Sequence, residues 1–547
     1  MHATALNIDC NRQIAPFHNR FLHPMDIPDE MHVVLAIVFS LLALRILNKL
    51  VKSDNKTATG SRTLELPGAW PLVGHLHLLW GPGPAFRKLG AMADALGPVF
   101  SLQLGVHRVV VLSSREAARE CLTSNDRALA SRPDIAAGRH MGYNSAVLGL
   151  APYGPYLRLV RKIATLELFS SQRLKELRPV RSSEVDALTK ELWHQPASSG
   201  VAIGEKLEHM TFNMNLRIIT GNRYKDEEFE EVGSDAWRFK KAINKALHLC
   251  GVFVLSDAIP WLEWLDFQGH VRSMKETGRE LDSVLEKWLR QHLEKRPNKG
   301  IHVDGGGADF MDLLLESLPE DDVVLGHERK DIIKATALIL IMTGTESTSI
   351  TMTWALSLLL NHPAALKSAQ QELDTVIGRE KWVQESDISN LKYVQAIVKE
   401  TLRLYPPAPL TGIREAMEDC YISGCHVPKG TRVLINIWKL QRDPRVWPEP
   451  DAFLPERFLE EHKEVDLRAK NFEFIPFSSG RRSCPGATLG LQVVEFTLAR
   501  ILQGFEVTLA EGAKVDMEEG PGIALPKVNP LRVALQPRLP LHLYEGL

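Results

Sequence analysis

Residues 477–486 read Phe477-Ser478-Ser479-Gly480-Arg481-Arg482-Ser483-Cys484-Pro485-Gly486, and an apolar-periodic run, 487–505, follows at once. That order places Cys484 at a helix N-terminus, with Pro485 suited to the first helical position, where its missing N–H is no loss. The positive end of the helix dipole favours a thiolate there, a soft and electron-donating ligand. A lone cysteine is more often a buried structural residue, so the surrounding spacing has to decide. Upstream, the longest apolar-periodic segment is 331–361, which at about 1.5 Å per residue runs roughly 45 Å and crosses a whole domain. Its middle is interrupted by Thr343-Gly344-Thr345-Glu346-Ser347-Thr348. A glycine and hydroxyls at a helix midpoint can loosen the ladder and open a groove. An ionisable Glu346 among apolar residues is expensive unless function requires it. Between the two segments, Lys399-Glu400-Thr401-Leu402-Arg403 sets Glu400 and Arg403 on one helix face, an arrangement that in most proteins is an ordinary surface ion pair.

The pattern F-x-x-G-x-R-x-C-x-G resembles the haem-thiolate loop of the cytochrome P-450 superfamily. The resemblance implies haem b as cofactor, with Cys484 as the axial ligand of its iron and Phe477, Gly480 and Gly486 shaping the loop so that the backbone passes close to the macrocycle. Phe453-Leu454-Pro455-Glu456-Arg457-Phe458 looks like the family's second arginine segment, so Glu400, Arg403 and Arg457 are expected to form a buried network behind the haem. Such a group must be fully paired or it costs several kcal/mol. Residues 343–348 resemble the family's oxygen-binding segment, which implies that Glu346 relays protons and that a hydroxyl holds the oxygen. Thr343 replaces a small residue there and Ser347 the usual threonine, so Ser347 and Thr348 are both candidates for that hydroxyl. For the haem propionates the resemblance offers Arg482, Arg414 and Arg161. The family's W-x-x-x-R is represented only by its arginine, since Leu157 stands at the tryptophan position.

The composition is compatible with this. The chain has 547 residues, 44% hydrophobic and 24% charged, with 65 basic against 67 acidic side chains and a net charge of −2. Burial is ample, and neither a disordered chain nor a globally basic nucleic-acid binder is indicated. The six cysteines are too scattered for a disulfide framework, although Cys420 and Cys425 are close enough to pair. Residues 31–47 are apolar except for His32, Ser40 and Arg45, close to the ~17-residue minimum for a membrane span. Asp26, Asp29 and Glu30 precede the run, and Arg45, Lys49, Lys52 and Lys56 end or follow it. A cleaved signal peptide wants the opposite polarity, and positive residues stay cytoplasmic. The reading is therefore an N-terminal extension at 1–30 with Met1, Met25 and Met31 as available starts, a signal anchor at 31–50, a linker and proline-rich hinge at 51–74, and a single haem-thiolate domain at 75–547.

Coarse patterns make that domain mainly α with small β-sheets. A hairpin is expected at 99–104 and 108–112 around Gly105, a β region at 421–438 turning at Pro428-Lys429-Gly430, and a surface loop at 295–307. With the anchor, the resemblance describes a microsomal plant-type enzyme in the endoplasmic reticulum membrane with its catalytic domain in the cytosol. It implies a monooxygenase that takes O2, a hydrophobic small-molecule substrate, and electrons from NADPH-cytochrome P-450 reductase. Residues 343–349 and 410–417 resemble hydroxylases of benzylisoquinoline alkaloids of the protopine or N-methylated protoberberine class. Flavonoid or terpenoid hydroxylation is the alternative. A haem-thiolate isomerase or lyase, or a non-catalytic haem binder, also stays open. Substrate-facing residues are expected within 131–148, 339–345, 410–412 and 520–525.

Overall fold

A computed structural model describes residues 64–547, apart from 82, 196–199, 296–307, 468–470, 511 and 513. The expected N-terminal extension, the signal anchor, residues 51–63 and nearly all of the loop at 295–307 lie outside the described residues. Among the described residues no helix is long and apolar enough to cross a membrane.

Seven helices carry the argument: α1 (Pro155–Glu167), α2 (Ile203–Thr220), α3 (Asp235–Gly251), α4 (His270–Lys295), α5 (Arg329–Asn361), α6 (Lys392–Leu404) and α7 (Ala487–Gly504). Helix α5 has 33 residues and so spans about 50 Å. It buries residues on every side, from Ile332 and Ile333 to Leu358 and Leu359, because α2, α4, α6 and α7 all pack against it. A helix apolar all round is a core helix. It stops at His362 because Pro363 follows, whose ring and missing N–H do not continue a helix. The expected loosening at 343–348 does not occur, and α-helix runs unbroken through it. The hydroxyls of Thr343, Ser347 and Thr351 instead bond the carbonyls four residues back, at 2.6, 2.8 and 2.7 Å. Gly344 has a packing reason. A Cβ there would stand 2.8 Å from Asn215 Oδ1, so α2 and α5 approach this closely only over a glycine.

Small sheets flank the helices. The larger one has five strands in the order Leu64–Glu65, Val99–Leu104, His107–Leu112, Arg432–Ile435, Arg414–Glu415. The expected hairpin is present with its second strand starting one residue earlier, Leu104 facing His107. Its turn residue Gly105 has φ +61°, and a Cβ there would meet Ala258 O at 2.2 Å. The β region expected at 421–438 divides into the hairpin Cys420–Ile422 with Cys425–Val427 and the sheet strand Arg432–Ile435. It ends before Trp438 because the Asn436 side chain accepts the Lys439 N–H at 3.0 Å and caps a short helix, Ile437–Leu440. In the hairpin Cys420 faces Val427 and Cys425 faces Ile422, so the two cysteines are not opposite each other. A three-stranded sheet from Phe505–Leu509, Arg532–Pro537 and Val201–Ala202 was not foreseen.

Candidate active site

The cysteine loop closes on itself. The Cys484 N–H donates to Phe477 O at 2.9 Å, and the loop leads into α7. The helix starts at Ala487 with Gly486 as its cap, so Pro485 precedes the first helical turn rather than opening it. Phe477, Cys484 and Gly486 line a cavity of about 330 Å³, whose other walls include Leu340, Thr343, Gly344, Ser347 and Thr348 of α5 and Leu489 and Gly490 of α7. The cysteine is accessible to this cavity although it lies deep in the protein. Burial pushes its thiol up, while the Gly486 N–H and Arg161 pull it down, and burial prevails. The helix end alone therefore does not hold a thiolate, and a metal cation would complete the deprotonation. No other described cysteine lines this cavity.

Two of the expected cofactor-binding residues stand off the cavity lining. Gly480 is not among the residues lining the cavity. It has φ +69°, and a Cβ there would stand 2.3 Å from Asp126 Oδ1, whose carboxylate accepts the Arg481 N–H at 3.0 Å and Arg481 Nη1 at 2.9 Å. Its left-handed backbone lets that carboxylate approach closely. Arg161 is also off the cavity. Its Nη2 donates to Ser483 O at 2.7 Å and to Ser483 Oγ at 3.0 Å, bracing the residue before Cys484.

Arg482 and Arg414 do line the cavity, and Arg132 joins them. Arg482 donates to Ala130 O at 2.6 Å and to Ala151 O, and Arg132 to Gly149 O at 3.1 Å and Ile413 O at 2.7 Å. Burial, then the neighbouring Arg482 and Arg414, pull Arg132 down to about 9. Burial, Arg414 and Arg161 pull Arg482 down to about 10. Arg414 lies 3.6 Å from Asp126, and its Nε is buried without a partner. Three guanidinia held mainly by carbonyls are short of anions. Together with a sulfur on an otherwise largely apolar wall, this donor set fits an iron macrocycle bearing carboxylates at one edge.

On α5 the expected acid and hydroxyl separate. Ser347 and Thr348 both line the cavity, but Glu346, turned by about 100° from its neighbour, lines a second cavity of about 310 Å³ with Glu208, Lys240, Asn244 and Lys527. Burial and the Glu208 charge push Glu346 up to about 7.

Behind the site, the charged network is present and buried. Arg403 donates to Glu400 through Nε at 2.7 Å and Nη2 at 2.8 Å, and Arg457 Nε through 3.1 Å. The Leu454 N–H adds 3.0 Å to the same carboxylate. The remaining guanidinium donors meet the carbonyls of Pro450, Ala452, Gln441 and Pro448. Of the expected substrate-facing stretches, 131–148 contributes Arg132, 339–345 contributes Leu340, Thr343 and Gly344, and 410–412 contributes Thr411 and Gly412. Residues 520–525 do not line this cavity. Leu525 is tied instead to Pro407 and, through its carbonyl, to Trp354 Nε1. Helix α2 supplies Thr211, Met214, Asn215, Ile218 and Ile219, none of them foreseen.

Comparison with known proteins agrees with this geometry. The family model "Cytochrome P450" matches residues 64–531. Dimethylnonatriene synthase of Arabidopsis thaliana is 52% identical over 513 residues, covering 93% of this chain and 97% of that protein. A xanthotoxin 5-hydroxylase of the same plant is 49% identical over 494 residues, covering 87% and 93%. A zebrafish cytochrome P450 solved with progesterone has a TM-score of 0.70 at 25% identity, covering 84% of this chain and all of that one.

Proposed function

The chain belongs to the cytochrome P450 family and is a haem-dependent monooxygenase of plant specialised metabolism, and we propose that its substrate is a neutral, apolar metabolite of terpenoid type. One observation carries the choice. Among the described residues no Asp or Glu lines the cavity of Cys484. With the three guanidinia taken up by the haem carboxylates, a protonated or quaternary alkaloid nitrogen would enter a largely apolar cavity that offers it no carboxylate, a cost that a neutral ligand avoids. The benzylisoquinoline class suggested by residues 343–349 and 410–417 is therefore less well supported than the terpenoid class. The 52% identity to dimethylnonatriene synthase points the same way. Substrate-induced spectral titration of the holoprotein is the test. Neutral terpenoids should give saturable shifts and N-methylated protoberberines none. Tight, productive binding of a quaternary alkaloid would reverse the assignment.

Bound haem supplies the iron at which dioxygen is activated, with electrons from NADPH through a reductase. The chain's own residues do the rest. Cys484 Sγ would hold the haem iron, Arg132, Arg414 and Arg482 would pair with the haem carboxylates, and Arg161 fixes the loop through Ser483. Ser347 and Thr348, which line the same cavity, would offer their hydroxyls to the oxygen being activated, and the apolar lining excludes water and orients the substrate. Glu346 holds a proton on its carboxyl near neutral pH in the adjoining cavity and would serve as the proton reservoir for the oxygen chemistry. The catalytic domain is placed on the cytosolic side of the endoplasmic reticulum membrane, behind an anchor at 31–50. Trp80, Trp264 and Phe267, each at least 75% exposed, offer aromatic surface suited to a lipid interface. Protease added to intact microsomes should reach this domain, and protection until detergent is added would contradict the orientation.

Glu346→Gln should leave the spectrum of the haem intact and slow turnover by roughly a hundredfold, the lower end for lost acid–base assistance. It should also change stability against pH. The folded chain holds Glu346 at about 7 against an ordinary 4.5, so it binds more protons than the unfolded chain between those values. Stability accordingly falls as pH rises through this window, by about 3 kcal/mol at most. Glutamine should remove that share and leave the share of Glu495, also pushed up to about 7 by burial. Denaturant midpoints measured from pH 4.5 to 8 read this directly. Parallel profiles for the two proteins would mean that Glu346 does not carry the proton.

A further inference from the structure

Three consecutive residues other than glycine, Tyr143, Asn144 and Ser145, have φ of +51°, +52° and +62°. Left-handed backbone is normally visited by single residues, because Cβ crowds the carbonyl. A run of three persists only where surrounding contacts impose it, and such strain gathers at functional sites. Here the contacts come from two helices. The Tyr143 hydroxyl donates to Asp282 Oδ1 of α4 at 2.9 Å, and Lys334 Nζ of α5 donates to the same oxygen at 2.7 Å. Lys334, with a side chain only 4% exposed, also reaches Glu286 at 3.0 Å and lies over the Tyr143 ring at 5.3 Å. Helix α4 presses on the entry to the turn as well. A Cβ on Gly278 would stand 2.2 Å from His140 O.

The chain that leaves the strained turn leads directly to the cavity. Leu148 O accepts from Arg482 Nη1 at 3.4 Å, Gly149 O from Arg132 Nε at 3.1 Å, and Ala151 O from Arg482 Nη2. Together with Ala130 O, Gly412 O and Ile413 O, these carbonyls orient two of the three cavity guanidinia. Within the turn, the Ser145 N–H reaches Gly138 O at 2.8 Å and the Val147 N–H reaches Gly142 O at 3.2 Å, so a shift at Tyr143 is passed along the backbone. The Tyr156 hydroxyl holds Ala146 O from α1 at 2.6 Å, which fixes one end of the segment and leaves the Tyr143 end to the clamp.

We infer that Tyr143, Asp282 and Lys334 form a clamp outside the cavity that positions Arg132 and Arg482 for the carboxylates of the bound cofactor. They are positioning residues and touch neither cofactor nor substrate. The inference rests on the proposed role of the arginines, and the test separates the two.

The measurement is the rate at which purified holoprotein gives up haem to excess apomyoglobin, with the melting temperature followed in parallel. Tyr143→Phe, which keeps the ring and removes only the hydroxyl, should speed transfer by about tenfold or more, the factor for one hydrogen bond to a charged partner. Asp282→Asn should act in the same direction. Asn144→Gly relieves the left-handed strain, so the pair Tyr143→Phe with Asn144→Gly should return the rate to within about twofold of the parent. If Tyr143→Phe lowers the melting temperature and leaves haem transfer unchanged, the contact is merely structural and the clamp is overturned. Arg132→Ala and Arg482→Ala should accelerate transfer at least as much as Tyr143→Phe. If they do not, the arginine assignment itself fails and the clamp with it. If they do and Tyr143→Phe does not, only the clamp fails.

Discussion

Cys484→Ala should abolish the thiolate-type absorption of the reduced, carbon monoxide-treated protein and reduce oxygenation to background. Loss of a sole protein ligand to a catalytic metal leaves no weaker version of the same chemistry. No other described cysteine lines the cavity, so among the described residues no second thiolate is available to substitute. Cys484→His should restore a ligand but with an imidazole-type spectrum, because nitrogen donates less electron density than sulfur. The measurement is a reduced-minus-reduced carbon monoxide difference spectrum on each variant. A persistent thiolate-type band in Cys484→Ala would require another cysteine to bind the iron.

The second large effect lies away from the chemistry. Glu400 and Arg403 are fully buried and Arg457 nearly so, and the one carboxylate accepts from both guanidinia and from a backbone N–H. Glu400→Ala would leave two buried guanidinia with carbonyl partners alone. Removing one member of a buried charged group costs about 3–5 kcal/mol, against a total stability of roughly 5–15 kcal/mol. The expected result is little soluble haem protein at growth temperature and a melting temperature far below the parent's. A variant that folds and melts within a few degrees of the parent would mean the network contributes little. The stacking of Arg403 over Trp447, 5.3 Å from the ring centre, adds packing that alanine at 400 would disturb as well.

Motifs with fixed spacing were legible in the sequence. The pair Glu400 and Arg403 needed only the helix repeat, and the cysteine loop only its glycines and its following apolar run. Direction was less legible. Glu346 and Ser347 are neighbours in the chain, yet a helix turns about 100° per residue, and they face different cavities. Nothing in the sequence pointed from Gly480 to Asp126, some 350 residues upstream, which its left-handed backbone lets approach. Arg161 has the right position in its helix and points at Ser483. Arg132 was hidden inside a stretch assigned to substrate as a whole. Only the folding of Gly149 and of Gly412 and Ile413 against it supplies the carbonyls that aim its side chain. The three-stranded sheet escaped notice because Val201–Ala202 is too short to show any period, and its partners come from the other end of the chain.

The central claim, that this chain is an oxygen-inserting enzyme acting on a neutral apolar metabolite, is tested most directly by isotope. Microsomes containing the chain and a plant reductase are given NADPH, a neutral terpenoid that passes the spectral titration, and dioxygen labelled with the heavy isotope. The account predicts a hydroxylated product in which the new oxygen comes from the labelled gas, formed only when NADPH is present and absent with Cys484→Ala. Product carrying oxygen from water, or rearranged product formed without NADPH, would contradict it.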